Sequence, residues 1–179
     1  GIVIGSFLNV CIYRIPEKES IMPRSHCMNC GGPLHWYDMF PVFSYIILKG
    51  RCRNCGAKIS KQYPLIEALN GILYVIVFMA NGININSVLY CLMTSVLIVL
   101  TMIDERTFEI PLCLNITLAI VGVLMCIADR ENIVSHLIGA VSVSFILFII
   151  WFLSSGKAIG GGDVKLMVSA GLILGWKLA

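Results

Sequence analysis

Charge is scarce in this sequence. Lys, Arg, Asp and Glu supply 13% of its 179 residues, against about a quarter in an ordinary soluble domain. With 58% apolar residues and a mean hydropathy of +0.89, that shortage excludes a globular domain dissolved in water, and the bilayer must be the solvent. Short segments of apolar–polar alternation are also missing. Runs such as 87–103 and 133–153 are apolar on every face, which excludes a spanning β-barrel and leaves helices. There is no internal repeat and no low-complexity tract, so neither a repeat array nor a disordered linker is expected. A signal peptide is disfavoured as well: the first apolar run has no basic stretch before it and no small-residue cleavage site after it, only Asn9, Tyr13 and Arg14.

What is present is a series of apolar runs at 1–15, 65–80, 87–103, 111–128, 133–153 and 164–179. A helix needs roughly 20 residues to cross a hydrocarbon core about 30 Å thick. The first run is short for that, the last stops abruptly, and the chain starts at Gly1, so a piece lacking residues at both ends is expected. The predicted fold is an all-α polytopic membrane protein. It comprises a first transmembrane helix over 1–15, a polar module over 16–63 and a transmembrane bundle over 64–179. Pro64 and Pro111 suit first helical turns, and Asn81-Gly82 suits a stop.

Eight of the 13 Lys and Arg residues fall between Arg14 and Lys61, namely Arg14, Lys18, Arg24, Lys49, Arg51, Arg53, Lys58 and Lys61. The positive-inside rule puts that module in the cytoplasm. Counting crossings from there brings Asp104, after the third run, and Asp163, before the sixth, out at the same cytoplasmic face.

An acid at the edge of a span is often a helix cap or an interface anchor, and Asp163 suits a cap on the last helix. Two acids on one face, one of them preceded by Gly160, Gly161 and Gly162, point further. Two close carboxylates cannot both ionise readily, so they share a proton. One can then activate water while the other polarises a peptide carbonyl. A backbone without side chains would let an extended substrate approach Asp163 closely, although a flexible loop is the plainer account of the glycines.

Cys27-Met28-Asn29-Cys30 and Cys52-Arg53-Asn54-Cys55 form two C-x2-C knuckles 21 residues apart, each followed by glycine. That spacing suits a tetrahedral zinc ion closed by four thiolates, with a structural role. Disulfides are disfavoured in a reducing cytoplasm. His26 and His35 flank the first knuckle as alternative ligands. Cys11, Cys91, Cys113 and Cys126 lie in apolar runs and are expected to be small buried side chains.

The run Ile159-Gly160-Gly161-Gly162-Asp163-Val164-Lys165-Leu166 resembles the G-x-G-D motif of intramembrane aspartyl proteases, in the form found in type IV prepilin peptidases. The stretch from Gly171 to Lys177, Asp104 with Ile110-Pro111, and the opening Gly5-Ser6-Phe7-Leu8-Asn9 through Tyr13-Arg14-Ile15-Pro16 are similar to that family too, in the family's order. The resemblance implies Asp104 and Asp163 as the catalytic pair, and Gly160, Gly161, Gly162 and Lys165 as substrate-binding residues. It also implies cleavage of the basic leader of type IV prepilins or type II secretion pseudopilins at the cytoplasmic face of a bacterial inner membrane. Many members then methylate the new N-terminus with S-adenosylmethionine. The implied cofactors are therefore structural Zn2+ and S-adenosylmethionine; the partners are a prepilin or pseudopilin and membrane lipid, with no nucleic acid. Three positions depart from the pattern: Gln62 where Arg is usual, Met28 where Pro is common, and Leu112 where a polar residue is frequent.

Glu67 sits just inside a span, where an acid is costly unless paired or functional. It is expected either to pair with Lys61 or Arg51 or to serve the methylation step. Trp36 and Tyr37 are expected to be interfacial anchors. Two rival readings exist: a transporter that binds a cation through its aspartates, and a membrane-tethered zinc module without catalysis.

Overall fold

The computed structural model describes residues 1–22, 25–156 and 160–176, with the side chains of Trp36, Met39 and Val143 outside the description. Arg24 of the basic stretch, Ala158 and Ile159 ahead of the glycines, and residues 177–179 lie outside it too, as does Trp36 as an anchor.

Seven α-helices are described: α1 Ile2–Arg14, α2 Phe43–Ile47, α3 Gln62–Asn81, α4 Ile85–Thr107, α5 Leu112–Ala128, α6 Ile133–Leu153 and α7 Gly161–Leu174. No strand is present among the described residues. By length and composition α3, α4 and the 24-residue stretch ending with α6 are apolar enough to cross a membrane, while α1 and α5 are shorter apolar helices. Their outward faces carry Ile72, Val75, Met79, Val141 and Phe145, all more than half exposed. So much contiguous apolar surface is untenable in water and is what lipid requires.

Helix ends follow the local chemistry. Gly82 takes φ 72 after α3, a conformation that costs glycine nothing. The Asn84 side chain then caps α4 by accepting from Ser87 N–H at 2.8 Å. Pro111 is the N-cap of α5, where its missing N–H is no loss.

Neighbouring helices meet through small residues, which let backbones approach where lipid leaves little hydrophobic drive for association. Gly1 and Gly5 of the α1 end face Gly71 and Glu67, so α1 runs antiparallel to α3. Asn70 of α3 accepts from Ser95 of α4 at 3.0 Å, and Tyr74 bonds the same hydroxyl at 2.9 Å, a buried polar clasp. Gly139 of α6 lies on Gly171 and Gly175 at the end of α7, and Gly122 of α5 lies on Ser169 and Leu172 of α7. Consequently α7 runs antiparallel to α6 and parallel to α5. The core between the helices is built from Ile12, Ile66, Ile103, Leu118, Met125 and Ile173.

Two sequence expectations change. The last helix begins at Gly161, not Val164, so Gly161 and Gly162 form its first turn instead of a flexible loop. Cys11 and Cys91 are buried as expected, but Cys113 is exposed and Cys126 half-buried, because the outer face of a lipid-facing helix tolerates a thiol without protein cover.

Candidate functional site: two aspartates and a four-thiol cluster at one end of the bundle

The topology gathers the polar chemistry. The C-terminal ends of α1, α4 and α6 and the N-terminal ends of α3, α5 and α7 all lie at one end of the bundle. Four contacts fix this: Arg106 of α4 donates to Gln62 of α3, the ring of Tyr13 of α1 stacks on Tyr63 of α3, Trp151 of α6 lies against Gly161 of α7, and Ile110, between α4 and α5, lies against Gly162 of α7. The segment carrying the cysteines connects α1 to α3 and lies at this end as well.

Asp104 occupies the last turn of α4, where its side chain is exposed. The helix stops at Phe108, which takes the left-handed conformation at φ 53 and donates its N–H to the Asp104 carbonyl at 2.8 Å. Asp163 is the third residue of α7 and half-buried. Its Oδ2 accepts the Gly160 N–H at 3.1 Å, so the carboxylate caps its own helix as the plainer sequence reading has it. The contact that joins the two motifs is apolar: Ile110, just beyond α4, lies against Gly162, and a Cβ there would stand 3.1 Å from that of Ile110. Lys165 is exposed one half-turn further along α7.

Arg106, two residues after Asp104, is a feature the sequence did not single out. Its guanidinium lies 4.5 Å from the centroid of the Tyr13 ring, donates to the Tyr13 hydroxyl at 3.2 Å and reaches Oε1 of the Gln62 side chain. One cation thus ties the Asp104-bearing turn to α1 and α3. Gln62, the departure from the usual Arg, is its acceptor. The signal available beforehand was an Arg in the last turn of a helix, a placement the helix dipole favours.

The four cysteine sulfurs lie within 4.8 Å of one another, and Cys27 Sγ stands 3.8 Å from Cys55 Sγ. Zn–S bonds of about 2.3 Å in a tetrahedron imply S···S edges of about 3.8 Å, so this donor set fits a zinc-sized thiophilic cation. Each knuckle has the same turn. Gly31 N–H donates to Cys27 O at 2.8 Å, and Gly56 N–H to Cys52 O at 2.9 Å, with both glycines at positive φ, 66 and 69. The backbone N–H groups of Cys30 and Asn29 bring the Cys27 thiol down to about 6. The Gly32 N–H pulls Cys30 the same way, but the sulfurs of Cys27 and Cys55 outweigh it and push Cys30 up to about 11. Thiols so close cannot all ionise without a cation between them.

His26 pairs with Pro33 in a bridge, and His35 stacks on Tyr37 at 5.0 Å. Neither joins the cluster among the described residues. Tyr37 also lies beneath Arg53 at 5.2 Å, and Arg53 pairs with Asp38 at 2.7 Å. Tyr37 thus belongs to the module's own packing.

Glu67 is buried at 6% exposure. Its partners are not Lys61 or Arg51: Oε2 accepts the Val42 N–H at 2.7 Å, and the Ser6 hydroxyl bonds the same carboxylate. The sequence expectation of an ion pair is corrected, because α1 and the module close over Glu67 and remove it from the surface where the cations lie.

The model of the bacterial peptidase A24 N-terminal domain matches residues 1–81, and that of the type IV leader peptidase family matches residues 91–179. Among relatives, a prepilin leader peptidase/N-methyltransferase of Klebsiella pneumoniae is 35% identical over 99% of this chain and 83% of its own length. One of Neisseria gonorrhoeae is 32% identical over 98% and 72%. One of Myxococcus xanthus is 33% identical over 99% of this chain, which spans 55% of that relative. No solved structure matches the chain.

Proposed function

This chain belongs to the type IV leader peptidase family, and from that premise we propose that it is a membrane aspartyl endopeptidase that removes the basic leader of a prepilin or pseudopilin. The observation that carries the reading is the packing of Ile110 on Gly162, which brings the turns bearing Asp104 and Asp163 to one end of the bundle. In the reaction, one carboxylate takes a proton from water as its oxygen attacks the scissile carbonyl. The other, protonated, donates to the carbonyl oxygen, and the proton taken from water then passes to the leaving amine. The Gly160 N–H holds Asp163 Oδ2 at the start of α7.

Gly160, Gly161 and Gly162 are assigned to substrate approach, Gly161 and Gly162 now as a bare first helical turn. Lys165, rotated away from Asp163 by its two-residue spacing on a helix, is assigned to substrate contact outside the pair. In this reading residues 16–63 are the metal module and 64–179 the peptidase bundle. Cys27, Cys30, Cys52 and Cys55 would hold a zinc ion that supplies folding free energy and, with all four positions filled by sulfur, no open site for chemistry. The module and both aspartates face the cytoplasm of a bacterial inner membrane, in keeping with the cations between Arg14 and Lys61. Methylation of the new N-terminal amine by S-adenosylmethionine is the second activity assigned, with Glu67 acting through position, since its carboxylate is covered. The transporter reading gains no support from any relative found.

Membranes containing the protein and a prepilin test this directly. Asp104→Asn and Asp163→Asn are each expected to abolish leader cleavage with the protein level unchanged; cleavage retained in either sinks the mechanism. Mass spectrometry of the mature N-terminus decides methylation, and an unmodified amine would exclude it.

A further inference from the structure

The module between α1 and α3 does not stand wholly clear of the membrane. α3 has 20 residues, about 30 Å at 1.5 Å per residue, so it needs its whole length to span the hydrocarbon core. Its outward side chains are exposed and apolar from Leu65 onward, with Leu69 and Ile72 following. Glu67 therefore lies about 7 Å along the helix from its first residue, Gln62. The Val42 N–H that donates to it at 2.7 Å holds this part of the module at that depth.

Val42 is held there in an unusual conformation. It takes φ 62 and ψ −50, and the Phe43 N–H donates to Pro41 O at 2.6 Å, a γ-turn of the rarer, strained hand and more so for a β-branched residue. Such a turn persists only where its surroundings hold it, and the buried carboxylate does so. Beyond the turn, α2 points Tyr45 inward, where its hydroxyl packs on Gly50, and leaves Phe43, Ile46 and Ile47 outward, with Phe40 beside them at 54 to 74% exposure. Lys49 and Arg51 follow at once and are exposed. An apolar tip with cations at its rim matches an anionic leaflet, the stems and rings in the acyl layer and the charges among the headgroups.

We propose that residues 40–47 form a re-entrant segment that seats in the anionic leaflet beside α3, with Glu67 as its buried tether. This inference rests on the membrane-spanning helices and is independent of the peptidase chemistry. To test it, a keto amino acid carrying a nitroxide is placed at Phe43, Ile46 or Ile47 of the whole protein. Ile72 and Lys58 serve as references, in vesicles of phosphatidylcholine with phosphatidylglycerol, and collision with oxygen and with a water-soluble nickel chelate is compared. The expected oxygen-to-nickel ratio at all three sites approaches that at Ile72 and exceeds that at Lys58; ratios equal to Lys58 at all three overturn the proposal. Glu67→Ala is expected to shift the ratio at Ile46 toward that of Lys58, whereas Glu67→Gln, whose carbonyl still accepts the Val42 N–H, leaves it unchanged. The same ratio in all three proteins would overturn the tether. Vesicles without phosphatidylglycerol are expected to lower the ratio, and no change would remove Lys49 and Arg51 from the account. Shielding from both reagents that appears only when a prepilin's apolar N-terminal peptide is added would assign the surface to substrate and overturn the lipid assignment.

Discussion

The tightest joint in the bundle is the crossing of α6 and α7, and a single methyl group there should measure it. A Cβ added to Gly171 would lie 2.4 Å from the Gly139 carbonyl oxygen, 2.7 Å from its carbon and 2.8 Å from Ala140 Cα. All three neighbours are backbone atoms, so no rotamer change relieves the clash and the helices must part by about 1 Å to reach ordinary van der Waals contact. Overpacking of this kind costs about 1–3 kcal/mol, and the severity argues for the upper end. Alanine returns about 1 kcal/mol through its better helix propensity. The net loss for Gly171→Ala is then about 2 kcal/mol, roughly a thirtyfold shift toward the unfolded form. Gly139→Ala meets Gly175 and Gly171 backbone at 2.6 to 2.9 Å and should cost a similar amount. Once the helices have parted for one methyl the second meets less resistance, so the double mutant should lose clearly less than the sum of the singles. SDS-driven unfolding in mixed micelles, followed by helical circular dichroism, reads these differences. Single mutants as stable as the wild type, or strictly additive losses, would refute the crossing and the direction of α7, hence the position of Asp163.

Gly161→Ala provides the contrast, since its Cβ would meet only Trp151 Nε1 at 3.7 Å. It should stabilise the first turn of α7 by up to about 1 kcal/mol while lowering leader cleavage, and unchanged kcat/KM would remove this glycine from the substrate path. Arg106→Ala should cost about 0.5–1 kcal/mol for the exposed cation–π contact with Tyr13, measured in the same unfolding assay, with Arg106→Lys recovering part. In chelator-stripped protein at pH 7, the Cys27 thiol, lowered to about 6, should be alkylated by iodoacetamide well ahead of Cys30, raised to about 11. The Cys27 rate should fall as the pH drops through about 6, because only the thiolate attacks. Peptide mapping by mass spectrometry reads both rates, and equal rates at pH 7 would contradict the knuckle geometry.

Much of this molecule is written in residue order alone. The six apolar runs became α1 and α3 to α7 within a few positions, because a segment in lipid must satisfy its backbone internally and a long apolar run has no alternative to a helix. The knuckle spacing placed four sulfurs together, since C-x2-C pairs followed by glycine close the same local turn twice. The shared end of Asp104 and Asp163 followed from the parity of crossings, which depends on counting spans and not on how they pack.

Tertiary structure decided the rest, because it depends on which distant residues approach. The glycines before Asp163 are a helical turn, since Gly162 packs on Ile110 and the Asp163 carboxylate caps the Gly160 N–H. Glu67 found Val42 and Ser6 instead of a lysine or arginine, because α1 and the module close over it. Arg106 acquired its role from a tyrosine 93 residues away. Sequence by itself established a helical membrane protein with two acids and a thiol cluster at one face. The close glycine crossings, the strained turn at Val42 and the apolar tip behind it are long-range contacts, and only folding brings their partners within reach.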